Sequence, residues 1–311
     1  MKRVFSGIQP SGKPHIGNYF GALKQWVEMG REHDCTFCVV DYHALTTVRD
    51  GAALKENIIE TTKDLLAIGI DPNRSILFKQ SNVPEHTELA WIFDCLVTVP
   101  FLMQAHAYKD KAAKGLEPSA GLFTYPMLMA ADILLYETDI VPVGEDQRQN
   151  VEYAREAANK FNLAFGQTFK EPKEMIQQAV AVVPGTDGKK MSKSYGNTIP
   201  LFATKEEMAA AVMSIVTDSS GERPENVYQI HKLFKTEAEL VPLYEANRGN
   251  YKALKEVLIE DIDTVIAPMR AKREQIGEEE VKKVLAEGAQ KAHALASVKM
   301  ADVRQKIGVT L

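Results

Sequence analysis

Cysteine is scarce in this 311-residue chain, which has three: Cys35, Cys38 and Cys95. An odd and sparse set excludes a disulfide framework and suits a reducing compartment. Cys35-Thr-Phe-Cys38 has metal-type spacing, but it runs into the apolar Val39-Val40 and meets no second Cys or His pair of matching spacing. Both thiols are therefore expected inside a strand, with no structural zinc. Long hydrophobic runs are lacking too. The most apolar stretch, Met127 to Tyr136, contains Asp132 and falls well short of a membrane span. The first residues are interrupted by Gly7 and Pro10 too soon for a signal peptide, so the chain is read as cytoplasmic, with no membrane segment. Nor is there an excess of positive charge. With 37 Lys and Arg against 42 Asp and Glu the net charge is -5, so nucleic acid can be met only through local patches.

A 45% hydrophobic content supports a sizeable core. Neither internal repeats nor low-complexity tracts are present. In the first half, helical periodicity alternates with short β-branched runs, the pattern of a parallel sheet covered by helices. Strands are expected at Val4 to Ile8, Thr36 to Val40, Ile76 to Phe78 and Ile140 to Val143. Helices are expected after His15, over Leu54 to Leu66 with a stop near Gly69, and over Glu88 to Leu96, Thr124 to Tyr136 and Asp146 to Phe161. The polar stretch Lys109 to Glu117 reads as a connection. Later, Thr204-Lys-Glu-Glu207 is a capping box opening a helix to Val216. Val281, Leu285, Ala289, Ala292 and Leu295 form an apolar stripe on a last helix that begins with the acidic Glu278 to Glu280. The fold class is α/β: a Rossmann-like parallel-sheet catalytic domain with a smaller C-terminal helical domain. The boundary is placed at 1-185 for the catalytic domain, including a connective insertion, and 186-311 for a signature loop and helical region whose last helix packs back on the catalytic domain.

Two short polar signatures carry the chemistry. Pro14-His15-Ile16-Gly17-Asn18 follows Gln9-Pro10-Ser11-Gly12-Lys13 at the turn from the first strand into a helix, where unpaired backbone N–H groups suit an anion. Gly17 lets a flat ligand approach the backbone, and His15 and Asn18 can donate to phosphate oxygens. Alone, they could equally be a turn histidine and a first-turn residue. Lys190-Met191-Ser192-Lys193-Ser194 lies between Gly188 and Gly196, as in a loop that closes on polyphosphate. Alone, it could be a solvated basic loop. In this order, joined by a sheet pattern, the two describe a nucleoside triphosphate site.

These residues are similar to the two signature motifs of class I aminoacyl-tRNA synthetases. Phe5 to Gly12, Asn18 to Ala22, Gly69 to Pro72, Met129 to Tyr136 and Val141-Pro-Val-Gly-Glu-Asp-Gln147 resemble the bacterial-type tryptophanyl-tRNA synthetase family, and Glu287 to Ala292 is similar to a late stretch of it. The tyrosyl-tRNA synthetases share both signatures and stand as the nearest alternative, and a non-catalytic sensor as another.

The resemblance implies activation of L-tryptophan by ATP, with Mg2+ carried on the ATP, and transfer to the tryptophan tRNA by a homodimer. It implies a catalytic set of His15, Asn18, Lys111, Lys190 and Lys193. ATP would meet Gln9, Pro10, Ser11, Gly17, Asn18, Gly144, Glu145, Asp146, Val183, Lys190, Met191, Ser192, Lys193 and Ser194. Tryptophan would meet Phe5, His43, Tyr125, Met129, Asp132, Val141, Val143 and Gln147, with the Asp132 carboxylate accepting the indole N–H that its apolar neighbours cannot satisfy. The chain departs from the family pattern at Tyr42, Ala107 and Asn150, all near the expected tryptophan pocket, and after the lysine loop at Tyr195-Gly-Asn197.

Overall fold

The computed structural model describes residues 1–144, 148–176, 183–217 and 223–310. Strand β1 (Arg3–Ile8) runs into a turn closed by His15, whose side chain accepts from the Asn18 N–H while Asn18 reaches back to the His15 N–H. That reciprocal cap starts a helix at Ile16–Asn18. It widens into a π-turn over Tyr19–Leu23 and continues as α1 (Lys24–Glu32). β2 (Asp34–Val39) follows, then α2 (Gly51–Ile68), capped by the Asp50 side chain and stopped by Gly69 in the left-handed region at φ 113°. β3 (Ile76–Lys79) and α3 (Glu85–Asp94) come next.

The expected polar connection over 109–117 is in part a helix, α4 (His106–Ala113): Ala and Lys are strong helix formers, and polarity alone does not mark a loop. α5 (Ala120–Leu134) starts earlier than expected because Ser119 caps the Leu122 N–H. β4 (Ile140–Val143), α6 (Arg148–Phe165) and an unforeseen fifth strand, β5 (Lys173–Ile176), complete the first half.

All five strands are parallel, in the order β3-β2-β1-β4-β5. β1 is central, and the winding reverses between β1 and β4, which opens a crevice at their carboxyl ends. Side chains alternate across the sheet: Val4, Phe37, Leu77 and Ile140 join one core, while Phe5, Cys38, Phe78 and Val141 join the other. Both expected strand thiols are buried, and burial pushes the Cys35 thiol up to about 12.

Among the described residues after the lysine loop the elements are helices: α7 (Lys205–Met213) with the Thr204–Glu207 capping box, α8 (Glu225–His231), α9 (Glu237–Ala246), α10 (Tyr251–Gln275) and α11 (Glu278–Ile307). α7 ends before Val216. α11 lies against the backbone of β3, an edge strand of the sheet. The approach is so close that a Cβ on Gly288 would stand 1.8 Å from the Leu77 carbonyl oxygen. The apolar stripe of α11 departs from expectation at Leu295, which is 44% exposed. The buried face passes instead from Ala292 to Ala296, Met300 and Val303. Among the described residues no helix is long and apolar enough to cross a membrane.

Candidate active site

The first signature pairs through its backbone with the segment just beyond the second. Ile16 N–H donates to the Ile199 carbonyl at 3.0 Å and Leu201 N–H to the Pro14 carbonyl at 3.0 Å, so His15 and Pro200 form an antiparallel bridge. Lys193 Nζ then reaches the Ser11 and Gly12 carbonyls at 3.2 and 3.0 Å. Gly17 is needed by the chain itself. A Cβ there would lie 2.9 Å from His15 Nδ1, so the missing side chain makes room for the imidazole that caps the helix, while the Met191 sulfur at 3.5 Å would be in ordinary contact.

His15 is buried, and burial followed by the charge of Lys193 lowers its pKa to about 4. It is therefore neutral at pH 7. Its Nδ1 accepts the Asn18 N–H at 3.3 Å, which fixes the proton on Nε2. Asn18 Oδ1 accepts the His15 N–H at 3.1 Å, which leaves its amide nitrogen as a donor. Both side chains thus keep a donor available at the start of the helix.

The lysine loop is held by a residue the sequence reading did not single out for this work. Asn197 is 2% exposed: its Oδ1 accepts the Ser192 N–H at 2.8 Å, and its Nδ2 donates to Asp187 Oδ1 at 2.7 Å and to the Lys190 carbonyl at 3.2 Å. Met191 N–H donates to Val183, and Gly188 and Gly196 both take positive φ, 80° and 64°. Lys190 and Ser194 are exposed, and Ser192 and Ser194 share a hydroxyl contact of 2.9 Å.

Two cavities of about 300 Å³ each adjoin at the carboxyl ends of the strands, sharing Gly7, Gln9, Ala22 and Trp26 as a common wall. The first is lined by Phe5, His43, Tyr125, Met129, Asp132, Val141, Val143 and Gly144, so seven of the eight residues expected around an amino-acid side chain come together. The second is lined by Gln9, Ser11, Asn18 and Lys193. His15, Pro10, Gly17, Val183, Lys190, Met191, Ser192 and Ser194 stand in the turn and loop around it without lining it. Lys111, on α4, lines neither cavity. Glu145, Asp146 and Gln147 lie outside the described residues.

Asp132 is 1% exposed and fully partnered within the protein. His86 Nδ1 meets Oδ1 at 2.5 Å, His43 Nε2 meets Oδ2 at 2.9 Å, and Gln80 Nε2 lies 2.7 and 2.9 Å from the two oxygens. Gln80 is itself oriented by accepting the Tyr42 N–H at 3.1 Å, and Tyr136 Oη stands 2.7 Å from His86 Nε2. Burial drives the Tyr136 hydroxyl well above its ordinary pKa, so it keeps its proton. Burial pushes the Asp132 carboxyl up, but the two histidines outweigh it and hold the pKa at about 2. The acid is thus ionised before any ligand arrives, which corrects the expectation that its partner must be an incoming N–H. Of these partners only His43 borders the cavity.

Gln80, His86 and Tyr136 were missed by the sequence reading. Gln80 follows the last residue of β3, where ligands of a parallel sheet gather, and His86 is a polar residue within the buried Leu89, Ala90 and Phe93 face of α3. Those were the available signals. At the positions that depart from the family pattern, Asn150 borders the first cavity and accepts the Tyr125 hydroxyl at 3.2 Å, while Ala107 lies on α4 away from both cavities.

Comparison with known proteins agrees with this geometry. The family described as tRNA synthetases class I (W and Y) matches residues 1–294. The tryptophan–tRNA ligase of Fusobacterium nucleatum is 46% identical, over 99% of this chain and 98% of its own. That of Rhodopirellula baltica is 44% identical, over 99% of both. The crystal structure of the tryptophanyl-tRNA synthetase from Campylobacter jejuni, complexed with ADP and tryptophan, superposes with a TM-score of 0.92 at 42% identity, over 98% of this chain and 99% of that one. The chain belongs to the class I tRNA synthetase family of tryptophan and tyrosine enzymes, among its tryptophan–tRNA ligases.

Proposed function

We propose that this chain joins L-tryptophan to ATP, releasing pyrophosphate, and passes the tryptophanyl group from the adenylate to a terminal ribose hydroxyl of its tRNA, releasing AMP. The observation that carries this reading is the pair of adjoining cavities: one apolar with a buried carboxylate, the other gripped by both signatures, with Gln9 in the wall between them. In the first step the amino-acid carboxylate attacks the α-phosphorus. A new O–P bond forms as the bond to the β-phosphate oxygen breaks, and the electron pair leaves on pyrophosphate. A carboxylate needs no base at pH 7, so positioning and charge stabilisation do the work.

His15 Nε2–H and Asn18 Nδ2 donate to the phosphates, and Lys190 and Lys193 neutralise the departing pyrophosphate. Asp132 can accept the indole N–H only if one of its present partners gives way, and His43 is the one that borders the cavity; Phe5, Met129, Val141 and Val143 give the ring its apolar walls. Mg2+, carried on the ATP, would supply further charge neutralisation on the phosphates. The activation site belongs to 1–185 together with the lysine loop. Helices within 186–311 read the anticodon, and the enzyme works as a cytoplasmic homodimer.

The deciding measurement is ATP–pyrophosphate exchange across a panel of amino acids, where exchange with tyrosine but not tryptophan would overturn the reading. Losing a hydrogen bond to a charged group costs roughly 1.5 to 3 kcal/mol. Asp132→Asn should therefore lower kcat/KM for tryptophan by about 10- to 150-fold, reduce its margin over phenylalanine, and leave the KM for ATP within about twofold.

A further inference from the structure

The second cavity, read above as the triphosphate site, has a carboxylate in its wall. Asp64 on α2 lines it beside Thr61, Leu65 and Lys193. A negative group facing polyphosphate opposes binding unless its charge is balanced. The balance comes from far along the chain. Arg273, in the last turn of α10, donates through Nε to Asp64 Oδ1 at 2.5 Å and through an Nη to Glu60 Oε2 at 2.5 Å. Its guanidinium also sits 5.2 Å from the ring centroid of Phe202, just beyond the segment that pairs with the first signature. The side chains of Asp64 and Arg273 are 7% and 20% exposed, so solvent screens this pair little. A planar, permanently charged fork suits two carboxylates one helical turn apart. Burial raises the Asp64 carboxyl to about 6, against the pull of Arg273. Lys193, lowered by burial, is drawn back up by Asp64.

We infer that Arg273 is a positioning residue for the activation step: by neutralising Asp64 it lets the cavity accept the triphosphate and leaves Lys193 for the phosphates. This assignment rests on the triphosphate reading of the cavity and extends it to a residue of the helical region, outside both cavities and both signatures.

The test is ATP–pyrophosphate exchange on the full chain, with KM measured separately for ATP and tryptophan. Arg273→Met should raise the KM for ATP about tenfold and leave that for tryptophan within about twofold. Asp64→Asn together with Arg273→Met should bring the KM for ATP back to within about threefold of the parent, because the cavity wall no longer carries a charge and Glu60 keeps Lys63 as its partner at 3.0 Å. A lost packing contact would not be rescued in this way. An unchanged KM for ATP in Arg273→Met, an equal rise in both KM values, or a double variant as impaired as the single one overturns the proposal. Should Arg273→Met fail to fold, the double variant and Arg273→Lys carry the same comparison. Failure of the underlying reading shows differently: Lys193→Ala would then leave both the exchange rate and the KM for ATP unchanged.

Discussion

Asp132 enters the site already ionised, and the cost of burying that charge is met by His86, His43 and Gln80 rather than by a ligand. This has a signed consequence for stability. With a folded pKa of about 2 against 3.8 for the ordinary carboxyl, the stabilisation is complete above about pH 4 and is lost as pH falls through 2. At 1.36 kcal/mol per unit this amounts to about 2 kcal/mol. The gap in unfolding free energy between the parent and Asp132→Asn should therefore shrink by about that amount between pH 4 and pH 2, as read by urea titration. His15 works in the same sense, at a higher pH. Its folded pKa of about 4 lies below the usual 6.5, so the unfolded chain holds the extra proton between those values and stability declines as pH drops across them. Nitrogen-detected NMR should show His15 neutral, with its proton on Nε2, down to about pH 5. A titration near 6.5 would contradict the buried cap.

At the scale of elements, local chemistry was readable where it acts locally. The Thr204–Glu207 box, the Gly69 stop and β4 follow directly from their residues. β5 was hidden because Lys-Glu-Met-Ile has no β-branched run, and α4 because its residues are polar. Two partners of Asp132, His86 and Gln80, were illegible for a different reason. They stand 46 and 52 positions away, and only the packing of α3 against α5 and the turn after β3 bring them to it. Glu287-Gly288-Ala289, which carried a family likeness without a physical cause, acquires one in the contact of α11 with β3. Gly288→Ala must push the helix off the strand backbone, so it should cost about 3 kcal/mol, at the upper end for overpacking. A lowered urea midpoint at constant slope is the expected result. A neutral substitution would mean that α11 does not sit this close.

On the scale of the whole molecule, the net charge of -5 leaves tRNA binding to local basic patches. Affinity should then fall linearly on a log–log plot against salt, with a slope of about -0.7 to -0.9 for each phosphate contacted. A flat dependence in a filter-binding series would exclude a phosphate-dominated interface.

The backbone rung between Ile16 and Ile199, with Lys193 reaching Ser11 across 182 positions, also dictates an order of events during synthesis. Contacts so distant in sequence carry a loop-closure cost and form late. The walls of the first cavity are all translated by Asn150, whereas the second has no Lys193 and no partner strand for Pro14 until Leu201 has emerged. A chain leaving the ribosome therefore carries every wall residue of the amino-acid cavity before it carries Lys193 and Leu201. Its grip on nucleotide comes only with the last third of translation.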